Sequence, residues 1–209
     1  MDILSNIVID EISRTMLFFV STQWRKIITV DTVIKKRDLC NKVAGEGQIE
    51  ILQWAHSNNC PYDSWTCEFA TLGGHVDVLH WLRNNNCAMN YTLCSAIAAE
   101  KGHVDILKWM QNTTGHPIDS QVCERAAKYG QISVLEWICE RDIICGIPKT
   151  HLACSRAAEG GQLKALQWLH VKGYPWDFRV CLYAKNRLDD EMLKWISENG
   201  CMCSGLYHQ

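Results

Sequence analysis

The chain lacks any excess of positive charge. Across 209 residues, 21 Lys and Arg stand against 23 Asp and Glu, a formal net charge of −2. That excludes the broad basic field which draws in nucleic acid or an anionic membrane. The densest basic stretch, Lys35-Lys36-Arg37, reads as a solvated helix end. No apolar run approaches the roughly 18 residues needed to span a bilayer. The start, Met1-Asp2-Ile3-Leu4, has no positive n-region, and Met16 to Val20 is too short for a signal h-region. An intracellular, cytoplasmic and reducing setting is therefore expected, in which the 12 cysteines stay as thiols. A Gly-rich phosphate loop, an H-E-x-x-H and a G-x-S-x-G element are also absent. No active site and no cofactor are expected.

Proline is scarce too, with four residues in all. Their placement turns the reading from what is missing to what is there. Pro61, Pro117, Pro148 and Pro175 occupy one register of an internal repeat, with Ala88 as the exception. The repeat is marked most plainly by Trp54, Trp81, Trp109, Trp137, Trp168 and Trp195. Their spacing is almost constant, and the step from Trp137 to Trp168 is the longest. A fixed period of this size, roughly 28 residues, is the mark of a solenoid, in which each unit buries its apolar face on the next.

Cys40, Cys67, Cys94, Cys123, Cys154 and Cys181 precede these tryptophans by about half a repeat, with a single one-residue slip at Cys94 and the rest of the series in step. Small residues follow them at helical spacing: Ala44, Ala70, Ala98, Ala126, Ala157 and Ala184. Residues three and four apart share a helix face, so this is the close-packing stripe of a first helix. Four residues before the internal cysteines stand Asp63, Asn90, Asp119, Thr150 and Asp177, all residue types that cap a helix N-terminus. Gly47, Gly74, Gly102, Gly130 and Gly161 each lie seven residues before the tryptophan and mark the turn into a second, amphipathic helix. The tryptophans on that helix are expected in the core. The unit reads as helix, glycine turn, helix, proline turn. The fourth-to-fifth junction, Arg141 to Lys149, is expected to be a longer loop. In the last copy Leu188-Asp189-Asp190 replaces the glycine turn, as suits an end repeat.

Gly74-His75-Val76-Asp77-Val78-Leu79-His80-Trp81-Leu82, followed by Asn85-Asn86-Cys87, resembles the second half of an ankyrin repeat, and the likeness recurs at Gly102 to Met110 and Gly161 to Leu169. With the Cys-x-x-Ala first helix and the tryptophan, the pattern is similar to a divergent, short ankyrin-like repeat, a type abundant in giant DNA viruses, amoebae and oomycetes. The resemblance implies an all-α, ankyrin-like solenoid of stacked helix-turn-helix repeats over residues 38–203, with a tail at 204–209. It implies a non-catalytic module that binds a protein partner, host–virus interaction being one setting. The period is shorter than that of a standard ankyrin unit, which removes the projecting turn and favours the first-helix face for binding.

Residues 1–37 read separately. Ile7-Val8-Ile9-Asp10-Glu11-Ile12 and Phe19 to Ile28, with Trp24-Arg25, resemble fragments of an F-box. Two readings stand side by side: a capping segment over the first repeat, or an F-box-like segment that recruits a Skp1-like subunit of a cullin ubiquitin ligase, the repeats then holding its substrate.

The residues expected to meet a partner follow the first-helix cysteine or sit in the turn before it: Glu68, Phe69, Glu124, Arg125, Arg156 and Tyr183, with Trp65, Tyr91 and Trp176. Trp65 and Trp176 are out of step with the period. With Tyr62, Tyr91 and Phe178 they form a candidate aromatic patch along one edge, the residue type that carries most binding energy at interfaces. His75 and His103 share their position with Gln48, Gln131 and Gln162, which points to a hydrogen-bonding bridge to a neighbouring turn rather than acid–base chemistry. No metal is expected. Cys201-x-Cys203 beside His208 comes nearest and lacks a fourth ligand.

Overall fold

The computed structural model describes residues 30–145 and 149–200, with side chains described for residues 37–140 and 149–200. Among these residues the structure is all-α, with twelve short helices in tandem and no strand. One compact unit holds α1 (Val30–Gly45), α2 (Ile49–Ser57), α3 (Ser64–Gly73) and α4 (Val76–Asn84). A second holds α5 (Tyr91–Lys101), α6 (Val104–Thr114), α7 (Ser120–Lys128), α8 (Ile132–Cys145), α9 (His151–Gly160), α10 (Leu163–Val171), α11 (Phe178–Asn186) and α12 (Asp190–Glu198). Helix α1 begins at Val30 and so runs across the expected 37/38 division. No helix among the described residues is long and apolar enough to cross a membrane.

Each odd-numbered helix packs on the even-numbered helix that follows it. In the first unit α1 also packs on α3; in the second, α5, α7, α9 and α11 pack in sequence. The cysteine–alanine stripe makes this possible. Cys40, Cys67, Cys94, Cys123, Cys154 and Cys181, with Ala44, Ala70, Ala98, Ala126, Ala157 and Ala184, are all buried. Small side chains there let successive first helices approach closely.

The helix starts follow from local chemistry. Asp63, Asp119 and Asp177 sit in extended backbone and accept first-turn amides, Trp65 N at 3.0 Å, Gln121 N at 3.0 Å and Arg179 N at 3.0 Å. These bonds satisfy donors that a helix N-terminus leaves without an internal partner. Thr150 holds the same place in extended backbone but makes no side-chain bond to the first turn. The long fourth junction is built differently from expectation. Helix α8 continues to Cys145 and spans 14 residues, so a longer helix absorbs much of the insertion.

The expected tryptophan core requires correction. Only Trp109 and Trp137 are buried; Trp54, Trp81, Trp168 and Trp195 are half-buried. The centre of each second helix is aliphatic: Leu52, Leu79, Leu107, Leu135 and Leu166 lie two residues before the tryptophan and are fully enclosed. Leu82, Met110, Ile138, Leu169 and Ile196, one residue after it, are enclosed as well. The bulky indole lies at the rim of the buried stripe, where it reaches back to the preceding repeat. Trp81 meets His56 and Tyr62 at 5.5 and 6.0 Å between ring centroids, and Trp195 meets His170 and Trp176 at 5.5 and 5.5 Å.

The turns carry a second inter-repeat device. The Gln131 side-chain amide donates to the Glu100 carbonyl at 2.9 Å, and the His75 imidazole N–H donates to the Gly45 carbonyl at 3.2 Å. Each side chain thus reaches back to the preceding turn, as their shared position implied. A Cβ on Gly130, where φ is +71°, would lie 2.4 Å from the Gln162 side-chain oxygen. On Gly161 it would lie 2.6 Å from the Arg187 guanidinium, which also donates to the Glu159 carbonyl at 3.2 Å.

Leu188 takes the glycine position of the last repeat with φ +56° and is 83% exposed. A left-handed conformation costs an L-residue roughly 1–2 kcal/mol, and this side chain recovers little by burial. Leu188→Gly is therefore expected to raise stability by about 1 kcal/mol, read as a higher urea midpoint at unchanged slope. A lower midpoint would contradict the argument.

Candidate functional site

In the first unit, α1 and α3 lie side by side and leave a groove of about 860 Å³ between their outer faces. Trp65, Phe69 and Leu72 fall four and three residues apart on α3 and so project from one helix face. Their exposures are 59%, 38% and 44%, high for three large apolar side chains in one row. The opposite wall, from α1, is polar: Arg37, Asp38, Asn41, Lys42 and Glu46. Close approach of Gly45 and Gly73 forms the floor; a Cβ on Gly73 would lie 2.1 Å from the Gly45 carbonyl oxygen.

The apolar row is held rigidly. Asp63 caps α3 and forms a capping box with Thr66, whose hydroxyl donates to the Asn41 side-chain oxygen at 2.8 Å in the interior. That buried bond ties the α3 wall to the α1 wall. Arg37 meets Asp63 at 3.4 Å at the same end. Glu68, beside the row, is half-buried, and burial followed by the Asp63 charge pushes its carboxyl above the ordinary value.

Glu124, Arg125 and Arg156 come together in the second unit, as their shared register required. They line a small polar depression of about 380 Å³ with Gln121 and Lys128. Their charges face one another across successive first helices. Arg125 pairs with Glu100, Arg156 with Glu124 at 3.6 Å and Glu159 at 2.7 Å, and Lys128 with Glu159 at 2.7 Å. Lys128, then Arg156, hold the Glu159 carboxyl below its ordinary value. The depression is an internally neutralised ladder that fixes helix register. Tyr183, on α11, is half-buried.

The aromatic residues do not share one environment. Trp65 is exposed in the groove of the first unit. Trp176, in the second, is half-buried, stacked on His170 at 4.4 Å and set edge-on to Trp195. It is the counterpart of Tyr62, which packs the same way on His56 and Trp81. Tyr91 stacks on His116 at 5.8 Å. Phe178 is 60% exposed on α11. Leu72 and the α1 wall were not among the residues expected to meet a partner, although Trp65, Phe69 and Leu72 carry a legible i, i+4, i+7 stripe.

Among the described residues no group of three or more His, Cys, Asp or Glu side chains is placed to share a metal ion. Cys201, Cys203 and His208 lie outside the described residues, as do the two F-box-like fragments. Neither a protein-family model nor a curated protein sequence matches the chain.

Proposed function

We propose that the chain is a divergent ankyrin-like repeat protein, a solenoid that binds a protein partner and catalyses nothing. The observation that carries this reading is the row of Trp65, Phe69 and Leu72, exposed together on α3 over a rigid floor. Contiguous exposed apolar side chains rimmed by charge are what protein-binding surfaces offer. Trp is the residue type most enriched where truncation costs binding energy. The Glu124–Arg125–Arg156 ladder supports the scaffold, its charges being spent on one another.

The test begins with affinity purification from the native host cell, then measures the purified partner against variants. Trp65→Ala is expected to weaken binding at least ~10-fold, and Trp65→Ala with Phe69→Ala further, since anchor truncations cost about 2 kcal/mol or more. Helicity should be unchanged, because both side chains project outward. Equal affinity for wild type and the double variant would sink the groove assignment. The sequence likeness of residues 7–28 to F-box fragments favours a second reading, a substrate adaptor for a cullin ubiquitin ligase. Loss of a co-purifying ligase subunit on removal of residues 1–30 would support it, and its absence from the full-chain purification would end it.

A further inference from the structure

Two first-helix cysteines have a second cysteine in the turn after the following helix, at one fixed offset: Cys40 with Cys60 and Cys67 with Cys87; in sequence Cys201 stands at the same offset from Cys181. The turn position lies against the first-helix cysteine. Cys67 Sγ donates to Cys87 Sγ at 3.3 Å, and in the fifth repeat, where Tyr174 fills that position, Cys154 Sγ donates to the Tyr174 carbonyl at 3.8 Å. Cys181 departs from the expected thiol state: it is disulfide-bonded. Cys40, Cys60, Cys67 and Cys87 are thiols.

The two thiol pairs differ in access. Cys40 and Cys60 are both buried, at 0% and 4% exposure. The hydrogen bond from Cys60, then burial, raises the Cys40 thiol far above its ordinary value. Cys67 is enclosed as well, but Cys87 is half-buried and reaches the surface. The bond from Cys67 lowers the Cys87 thiol, against opposing effects of burial and Asp63. Reactivity follows thiolate character and exposure, and Cys87, half-buried and lowered by its partner, is favoured on both counts over Cys40 and Cys60.

We propose that Cys67 and Cys87 form a reversible redox site, closed to a disulfide by a low-molecular-weight disulfide of the glutathione class. Cys87 thiolate attacks one sulfur of the small disulfide. That S–S bond breaks, a mixed disulfide forms on Cys87, and one small thiolate leaves to take up the proton Cys87 gave to solvent. Cys67 then attacks the Cys87 sulfur from inside, its proton passing to the second small thiolate as that group leaves. Two protein thiols are oxidised and one small disulfide is reduced to two thiols. Closure needs the sulfurs to move about 1 Å nearer than their 3.3 Å separation, since a disulfide bond is about 2.05 Å long. The product staples α3, which carries the groove's apolar row, to the turn after α4.

The test uses the full chain, reduced, freed of reductant and equilibrated with mixtures of oxidised and reduced glutathione. After alkylation and proteolysis, mass spectrometry should find a Cys67–Cys87 cross-linked peptide, about 2 Da lighter than the two thiol peptides, with Cys40 and Cys60 still alkylated. Cys67→Ser should trap the glutathione adduct on Cys87. The oxidised wild type should unfold at higher urea than the reduced, a rise beyond that seen in Cys87→Ser. A stable glutathione adduct on wild-type Cys87, or both cysteines alkylated throughout, would overturn the proposal. The wild-type map decides this whether or not the variants fold.

Discussion

Trp109→Ala is expected to cost about 3–5 kcal/mol, the range for truncating a buried aromatic side chain. Trp109 is 9% exposed on α6, beside fully enclosed Ile106, Leu107 and Met110. Removing the indole leaves a cavity at the rim of that cluster, which helices already in contact with their neighbours close only in part. Trp65→Ala, at 59% exposure, should change the urea midpoint little. The half-buried Trp54 and Trp168 should fall between. Equal, small losses at Trp109 and Trp65 would show that burial does not rank these residues.

The second large effect is expected at Gly160, where alanine should lower stability by about 3 kcal/mol, because packing there opposes helix propensity. On propensity alone the change would gain about 1 kcal/mol, glycine being the poorer helix former. Packing reverses the sign. A Cβ there would lie 1.8 Å from the Lys128 carbonyl oxygen and 2.8 Å from its carbon, both backbone atoms of α7. Backbone cannot rotate away as a side chain can, so α9 must shift off α7, and overpacking of this kind costs roughly 1–3 kcal/mol and occasionally more. Gly173→Ala is the control: its φ is +77° and nothing stands within 4 Å of the added carbon, so it should lose only about 1 kcal/mol of backbone strain. A Gly160→Ala protein as stable as wild type would mean that α7 and α9 are not seated as described.

The helix pairs were legible in the sequence because their signals are local. A capping aspartate, a positive-φ glycine and a helical apolar period act within one or two turns, and all three survive into the structure at Asp63, Gly130 and α4. The tryptophans misled for a physical reason. Periodicity says which residues share a face and not which of them lies at its centre. Leu79 and Leu82 fill that centre, while Trp81 on the same face is large enough to reach the preceding repeat from the edge. Trp176 looked like Trp65 because both are out of step, yet their positions in the unit differ. One lies in the proline turn and meets Trp195; the other opens a first helix and meets solvent. The groove's second wall was illegible because it depends on which helix stands beside α3. Arg37, Asp38 and Lys42 carry no signal of their own.

The turn device has a consequence for how such a chain changes over generations. In the second unit two copies, those of α7–α8 and α9–α10, carry both halves of the joint: a glycine that leaves a gap and a long polar side chain that fills the gap of the copy before. Gly102 receives Gln131, Gly130 receives Gln162 and Gly161 receives Arg187. Excising residues 131–161 would put Gln162 in the place of Gln131, against Gly102, and Arg187 in the place of Gln162, against Gly130. Whole copies can therefore be gained or lost by recombination without any new contact having to arise, so copy number drifts more freely than the sequence within a copy.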